Sequence, residues 1–134
     1  MTASRQLRAI YWLGQDPIEV TYARQHVRKT LPGWGLGGHT DLAVLIVSEL
    51  VTNAQLYGSG RIELRLSRTR DELWIKVSDE GSGRLVLSTP DAGAERGRGL
   101  RLIDGLLALH GGRWGVAERN AGKTVFAVLP LHGQ

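Results

Sequence analysis

Two neighbouring segments near the middle of the chain carry apolar residues at every second position. Residues 62–66 alternate in this way, and the alternation resumes over residues 73–77 after a polar turn from Ser67 to Asp71. A period of two predicts strands with one apolar face each, and so short a turn makes the two strands antiparallel neighbours. Because an apolar sheet face has to be covered, the rest of the chain must supply a second layer.

The segments around this hairpin have their apolar residues at helical spacing. Asp16, Pro17 and Glu19 form a helix-start signal, with a capping side chain, a proline in the first turn and an acidic third residue. This first helix ends at Pro32 and the glycine-rich run from Gly33 to Gly38. Further helices are predicted from about Thr40 to Tyr57 and from Gly99 to Leu109, and further strands over 7–13, 113–118 and 123–129.

Helices interspersed with strand pairs on short turns predict an α/β (α+β) two-layer sandwich. We expect one mixed, mostly antiparallel sheet of about five strands, with three helices on one face. Trp74 and Lys76 would lie on the other face, toward solvent or a partner. The chain has 134 residues, of which 42% are hydrophobic, and this suits one domain over residues 1–134.

The composition argues against several classes of protein. Charged residues make up 22% of the chain, which is not the composition of a disordered protein. No apolar run approaches the roughly 18 residues of a membrane span, and Met1 to Arg8 lack the apolar part of a secretory signal. The sequence has no cysteine, which excludes disulfides, thiolate zinc sites and cysteine nucleophiles. We therefore expect a cytoplasmic protein.

The chain is basic, with 17 Lys and Arg residues against 13 Asp and Glu residues and an isoelectric point of about 10. A nucleic-acid-binding domain would account for this charge, and a salt-dependent shift of DNA would support that interpretation. However, the arginines are scattered, and no dense basic run with interleaved aromatic residues is present. An anionic ligand, an acidic partner or solubility explains the charge equally well, so we expect no direct contact with nucleic acid.

A carboxylate and an amide lie one turn apart on the second predicted helix. Glu49 and Asn53 share a face with Leu42, Ile46 and Leu56. The oxygen of Asn53 could bind a hard cation while Glu49 stands beside it as a base. A structural polar pair bonded to the backbone is the alternative. The remaining polar residues of this helix are expected on a different face: Asp41, Ser48, Thr52 and Gln55.

Two glycine-containing segments follow the hairpin. Asp79 comes directly after the second strand, where Gly81 and Gly83 let the backbone turn sharply and let a flat ligand approach. An aspartate there can accept a hydrogen bond from an exocyclic amine such as that of adenine, whereas a capped glycine turn is the structural alternative. Residues 84–96 are polar, as in a mobile lid.

The third predicted helix opens with Gly97, Arg98, Gly99 and Leu100. Free N–H groups at such a helix start bind phosphate, and a flexible loop with a glycine-rich helix entry is the alternative. Gly122 to Thr124 resembles the end of a P-loop, but no glycine occupies the first P-loop position and a strand follows it. The four histidines show no metal-ligand spacing.

Taken together, these segments resemble the ATP-binding domain shared by gyrase, Hsp90, histidine kinases and MutL (the GHKL, or Bergerat-type, domain) over roughly residues 5–130. Glu49 to Asn53 matches the N box of that family, Asp79 to Gly83 its first glycine box, and Gly97 to Leu100 its second. Thr124 falls where a threonine often supports the adenine pocket through water. The resemblance implies ATP and Mg²⁺ as cofactors, bound by Asn53, Asp79, Gly81, Gly83, Gly97, Arg98, Gly99, Leu100 and Thr124.

Within that family, a short chain carrying the run from Ser48 to Ala54 is similar to the anti-sigma-factor serine/threonine kinases. The resemblance implies phosphorylation of a serine on an anti-anti-sigma (STAS-domain) protein, and capture of an RNA polymerase sigma factor. Glu49 would be the catalytic base, Asn53 would hold Mg²⁺, and Asp79 would recognise adenine. The lid would close over the γ-phosphate with its hinge at Gly97 and Gly99. Relatives are often dimers, so a homodimer is a further expectation.

Two features depart from the family pattern. Tyr57-Gly58 stands where relatives often carry His-Gly, and this is expected to alter lid or ribose contacts. The lid, at 13 residues, is short. The alternative function is a non-catalytic module that captures a sigma factor or another regulator, with ATP only shaping its surface. Retention of both Glu49 and Asn53 favours the kinase, since a pure binder needs no base.

Overall fold

The computed structural model describes residues 6–81, 98–119 and 121–131. A short 3₁₀ turn, Gly37–His39, precedes the second α-helix. The elements agree with the predicted ones to within two residues at each end, which confirms the element order. In chain order they are β1 (Leu7–Leu13), α1 (Ile18–Gly33), α2 (Thr40–Tyr57), β2 (Ile62–Arg68), β3 (Glu72–Asp79), α3 (Arg98–Leu109), β4 (Arg113–Arg119) and β5 (Gly122–Pro130).

The strands form one sheet in the order β1-β2-β3-β5-β4, and every neighbouring pair is antiparallel. The two-layer α+β fold is thus confirmed, but the described sheet contains no parallel pair, so the expectation of a mixed sheet is corrected. The reason lies in the connections. β3 and β4 point the same way, but β5 is inserted between them, and β2 separates β1 from β3 in the same manner.

The helices cover one face of this sheet. At one edge, the ring of Tyr11 in β1 stacks on His26 of α1 with centroids 3.9 Å apart. At the other edge, Nε1 of Trp114 in β4 donates a hydrogen bond of 2.9 Å to Asp104 of α3. Between them, the inward residues of the three central strands are buried apolar side chains. These are Ile62, Leu64, Leu66, Leu73, Ile75, Val77, Val125, Ala127 and Leu129.

The start of α1 forms as its sequence predicts. Oδ1 of Asp16 accepts the N–H of Ile18 at 3.0 Å, so the aspartate caps the first turn. Oε1 of Glu19 reaches back to the N–H of Gly14 at 3.1 Å. Together these contacts fix the path of the chain from β1 into α1.

Across the described residues, the helices lack the length and apolar character needed to cross a membrane.

The burial of α2 differs from the predicted pattern in two places. Leu56, expected in the apolar stripe, is 62% exposed, and Ser48, expected on a polar face, is buried. Glu49 and Asn53 lie on the flank of the stripe, and Ser48 donates to the carbonyl of Val44. The stripe that contacts the sheet consists of Ala43, Ile46, Val47, Leu50, Val51 and Ala54.

Candidate functional site

Asp79, the last residue of β3, is a buried carboxylate at the end of the sheet. Its side chain is 2% exposed. Oδ1 accepts the N–H of Gly81 at 2.7 Å, and Oδ2 lies 3.0 Å from Nζ of Lys123. A carboxylate is removed from water only where other groups compensate its charge. Here a backbone N–H and an ammonium do so, and they hold the carboxylate in one orientation.

Glycines surround Asp79 where any side chain would collide with it. A Cβ on Gly58, just after α2, would lie 2.5 Å from Oδ2 of Asp79 and 2.7 Å from the carbonyl oxygen of Ala54. A Cβ on Gly81 would lie 3.1 Å from Oδ1 of Asp79. Gly122 has φ +132°, and its Cβ would overlap the carbonyl oxygen of Asp79. The end of α2 therefore packs directly on the carboxylate, and the start of β5 packs on the backbone of Asp79.

Lys123 lies beside Asp79 although none of the sequence motifs includes it. It faces Asp79 in the β3–β5 register, and because directly paired residues point to the same side of a sheet, its side chain lies under the helices with Asp79. Its side chain is 2% exposed. The signal was present in the sequence: Lys123 continues the inward alternation of Val125, Ala127 and Leu129.

Thr124, predicted to support the adenine pocket, lies on the opposite side of the sheet. Its hydroxyl forms a 2.7 Å hydrogen bond with the hydroxyl of Ser78, its partner in the register. Successive side chains of a strand alternate between faces, so Thr124 and Lys123 cannot both face Asp79. The structure does not bring Thr124 together with the other predicted site residues.

Asn53 is buried on the flank of α2, and its Nδ2 has no hydrogen-bond partner among the described residues. It directly precedes Ala54, whose carbonyl oxygen lies beside Gly58 and hence beside Asp79. Glu49, one turn earlier, is half-buried. A buried amide left unpaired is costly, so this flank of α2 suits a polar group that the described residues do not supply.

The glycine-rich second segment is only partly within the described residues. α3 begins at Arg98, so Gly99 and Leu100 belong to its first turn. The first four N–H groups of a helix have no partner within it, which suits the predicted phosphate contact, and Leu100 is buried against the core. Gly83, Gly97 and the predicted lid over residues 84–96 lie outside the described residues.

The uncovered face of the sheet carries an aromatic and basic surface. Trp74 stacks near Phe126 with centroids 5.8 Å apart, and the cationic groups of Lys76 and Arg113 each lie 5.3 Å from the Trp74 ring. A cleft of about 330 Å³ lies on this face. Trp12, on the edge strand β1, is 55% exposed. The expectation that Trp74 and Lys76 lie opposite the helices is therefore confirmed.

Comparison with known proteins agrees with this geometry. The family model described as "Histidine kinase-, DNA gyrase B-, and HSP90-like ATPase" matches residues 38–133. That span runs from the start of α2 through β5 and includes the buried carboxylate, the unpaired amide and the first turn of α3. No curated protein matches the chain. The match covers well over half of the chain, and the chain therefore belongs to the family of histidine kinase-, DNA gyrase B- and HSP90-like ATPases.

Proposed function

We propose that this ATP-binding domain is a protein serine/threonine kinase that phosphorylates a serine on an anti-anti-sigma (STAS-domain) protein and sequesters a sigma factor. The observation that carries the proposal is the presence of two buried polar groups, one at the end of β3 and one near the end of α2. Asp79 is a buried, oriented acceptor, and Asn53 is a buried amide with no partner among the described residues. The half-buried carboxylate of Glu49, one turn from Asn53, adds a base.

In this proposal, Asp79 recognises the adenine ring. Its carboxylate is held in place by Gly81 and Lys123, so it accepts a hydrogen bond from the exocyclic amine without losing side-chain entropy on binding. The absence of a side chain on Gly58 lets the end of α2 pack against that carboxylate without displacing it. The first turn of α3 offers backbone N–H groups to the phosphates.

Asn53 suits a magnesium site in which the phosphates of the nucleotide supply the other ligands. The described residues contain no group of three His, Cys, Asp or Glu side chains able to hold a metal on their own. Mg²⁺ in nucleotide sites uses one or two protein oxygens together with phosphate oxygens and water. Asn53 is buried on the flank of α2. We assign its amide oxygen to the metal, while its Nδ2 has no hydrogen-bond partner among the described residues. When bound, Mg²⁺ would neutralise charge on the phosphates.

Glu49 is the proposed base for the substrate serine. Within the described part of the chain it has no ion pair and no hydrogen bond that would compete for its carboxylate. A free carboxylate one turn from Asn53 can accept the serine proton as the hydroxyl attacks the γ-phosphorus, while the terminal phosphoryl group leaves ADP. This step distinguishes a kinase from a protein that only binds nucleotide.

The uncovered sheet face supports a protein partner in this proposal. It exposes Trp12 and Ile10 beside basic and acidic side chains, a mixture typical of protein interfaces. We assign this surface to the STAS-domain protein, the sigma factor or a second copy of the chain. The alternative function, a non-catalytic module that captures a regulator, uses the same surface but needs no base at Glu49.

The direct test is phosphoryl transfer from γ-labelled ATP to STAS-domain proteins from the same genome. The proposal expects label on a serine of one such protein, with Mg²⁺ required. Capture of a sigma factor in the presence of ATP without any transfer would favour the binding module. Absence of both activities from a folded, ATP-bound protein would contradict both functions.

A further inference from the structure

Lys123 brings an ammonium into the core, where the described residues leave its hydrogens without a hydrogen-bond acceptor. Nζ lies 3.0 Å from Oδ2 of Asp79, but the contact lacks hydrogen-bond geometry, and Nζ has no hydrogen-bond partner among the described residues. An ammonium has three donors, and buried donors are almost always paired in folded proteins. The ion pair therefore balances the charge of Lys123, but a single carboxylate contact leaves at least two of its three donors without an acceptor among the described residues.

An acceptor for Lys123 would lie on the same side of the sheet as the Asp79 carboxylate. Lys123 and Asp79 are direct neighbours in the β3–β5 register and share the helix-covered face. On the side of α2, Nδ2 of the buried Asn53 also has no hydrogen-bond partner among the described residues. A ligand at this end of the sheet thus meets one acceptor group, the carboxylate, immediately beside one donor group, the ammonium.

Adenine carries the complementary pair of groups. Its exocyclic amine is a donor, and the ring nitrogens on either side of that amine, N1 and N7, are acceptors. We propose that Lys123 is a second base-recognition residue, which donates a hydrogen bond to the ring nitrogen next to the amine while Asp79 accepts from the amine itself. This inference rests on the proposed function, because it assigns a role within the same nucleotide site.

The surroundings of position 123 also explain why a lysine is found there. Thr124 faces away and bonds to Ser78, so the residue at position 123 is the one in β5 that can reach the base beside Asp79. A neutral residue there would leave the Asp79 carboxylate buried without an opposing charge. Lys123 thus both compensates that carboxylate and supplies the donor that a purine ring nitrogen requires.

The experiment uses ATP analogues in which one nitrogen group of adenine is replaced or removed, and it measures their affinities for the wild type and for a variant. Calorimetry would compare ATP with 1-deaza-ATP, 7-deaza-ATP, 3-deaza-ATP and the triphosphate of purine riboside, which lacks the amine. The wild-type chain should lose at least about tenfold in affinity for either 1-deaza-ATP or 7-deaza-ATP, and these two arms identify the nitrogen. 3-Deaza-ATP should bind like ATP, because N3 is remote from the amine.

The variant series separates Lys123 from the rest of the site. In Lys123→Met, the loss of affinity caused by the deaza substitution should shrink to below about twofold relative to ATP. The loss of affinity caused by removing the amine should persist, because Asp79 is intact. Lys76→Met, on the uncovered face of β3, is the matched control and should reproduce every wild-type value. A deaza penalty that survives unchanged in Lys123→Met would overturn the assignment.

The wild-type series decides the matter even if Lys123→Met does not fold. Equal affinity of the wild type for ATP, 1-deaza-ATP and 7-deaza-ATP would overturn the role of Lys123 while leaving the proposed function in place. Loss of binding for every triphosphate, ATP included, would instead contradict the nucleotide site as a whole. The two failures are therefore distinguishable.

Discussion

Lys123 lies directly across the β3–β5 ladder from Asp79, with its Nζ 3.0 Å from the carboxylate and both side chains 2% exposed. The group proposed to recognise adenine is thus also one half of a buried ion pair in the core. Removing one partner of such a pair leaves an uncompensated charge, which typically costs about 3–5 kcal/mol. Substitutions at this site must therefore be measured for stability as well as for binding.

Asp79→Asn is expected to weaken ATP binding at least about tenfold, because the amide cannot offer the adenine amine a charged acceptor. The same change leaves the Lys123 ammonium buried and unpaired, so we also expect a loss of about 3–5 kcal/mol in unfolding free energy. Calorimetry and urea unfolding measure the two effects.

The double variant Asp79→Asn with Lys123→Met serves as the control for the first prediction. It removes both charges, so part of the lost stability should return while ATP binding stays weak. Unchanged ATP affinity in a folded Asp79→Asn protein would remove the adenine assignment.

Asn53→Ala should abolish the Mg²⁺ dependence of ATP binding without destabilising the fold. Nδ2 of Asn53 makes no hydrogen bond to a described residue, so its removal relieves a buried unpaired donor and should be neutral or stabilising by about 1 kcal/mol. Gln55→Ala on the same helix is the matched control. Its amide donates to the carbonyls of Gly14 and Asp16, so that variant should lose stability yet keep the Mg²⁺ dependence.

Glu49→Ala should bind ATP as the wild type does but lose phosphoryl transfer by about a hundredfold or more, since general-base catalysis contributes on that scale. Asp41→Ala, which removes an exposed carboxylate in the first turn of the same helix, should keep transfer. Label transfer from ATP to the partner serine measures both. Full activity in Glu49→Ala would mean that another group takes the proton.

Gly58→Ala tests whether the space around Asp79 is needed. The new Cβ would lie 2.5 Å from Oδ2 of Asp79 and 2.7 Å from the backbone oxygen of Ala54, so we expect a loss of about 1–3 kcal/mol together with weaker ATP binding. Gly105→Ala in α3 meets nothing within 4 Å. It should raise stability by up to about 1 kcal/mol through helix propensity alone. Equal thermal midpoints for the two variants would contradict the packing described here.

His26 gives the fold a measurable pH dependence. Burial lowers the pKa of His26 below its ordinary value of 6.5, and the charge of Lys29 lowers it further, while Glu19 acts in the opposite direction. The folded state therefore binds a proton at His26 less readily than the unfolded chain does. The free energy of unfolding is highest at a pH above the pKa of His26 in the unfolded chain, and it falls as the pH drops through about 6.5.

His26→Phe keeps an aromatic ring against Tyr11 but cannot titrate. Urea midpoints measured at about pH 7.5 and about pH 5.5 should therefore drop more for the wild type than for this variant. Parallel changes in the two proteins would show that His26 does not contribute.

The sequence was sufficient for the elements because each has a strong local signal. The alternation through β2 and β3 and the start signal at Asp16 appear in the structure as predicted. The antiparallel pairing of every neighbouring strand could not be predicted in the same way. It depends on the insertion of β5 between β3 and β4, which is a long-range contact that no local sequence pattern encodes. The same applies to Ser48, whose burial follows from Arg24 of α1 donating to its hydroxyl.

The candidate site was predicted in part for a similar reason. Asp79 and Asn53 can be identified from the sequence as polar residues at the end of a strand and on a helix flank. The structure places both in the interior. Lys123 went unrecognised because a lysine near a turn is ordinarily solvated. Its burial results from its register with Asp79, and that register also turns Thr124 to the other face.

The most direct test of the central claim is calorimetric titration of the purified wild-type chain with ATP, with and without Mg²⁺, beside the same titration of Asp79→Asn. The account predicts micromolar binding that is strengthened by Mg²⁺ in the wild type and lost in the variant. A folded wild-type chain that binds no ATP, or binds it as tightly after Asp79 is replaced, would contradict it.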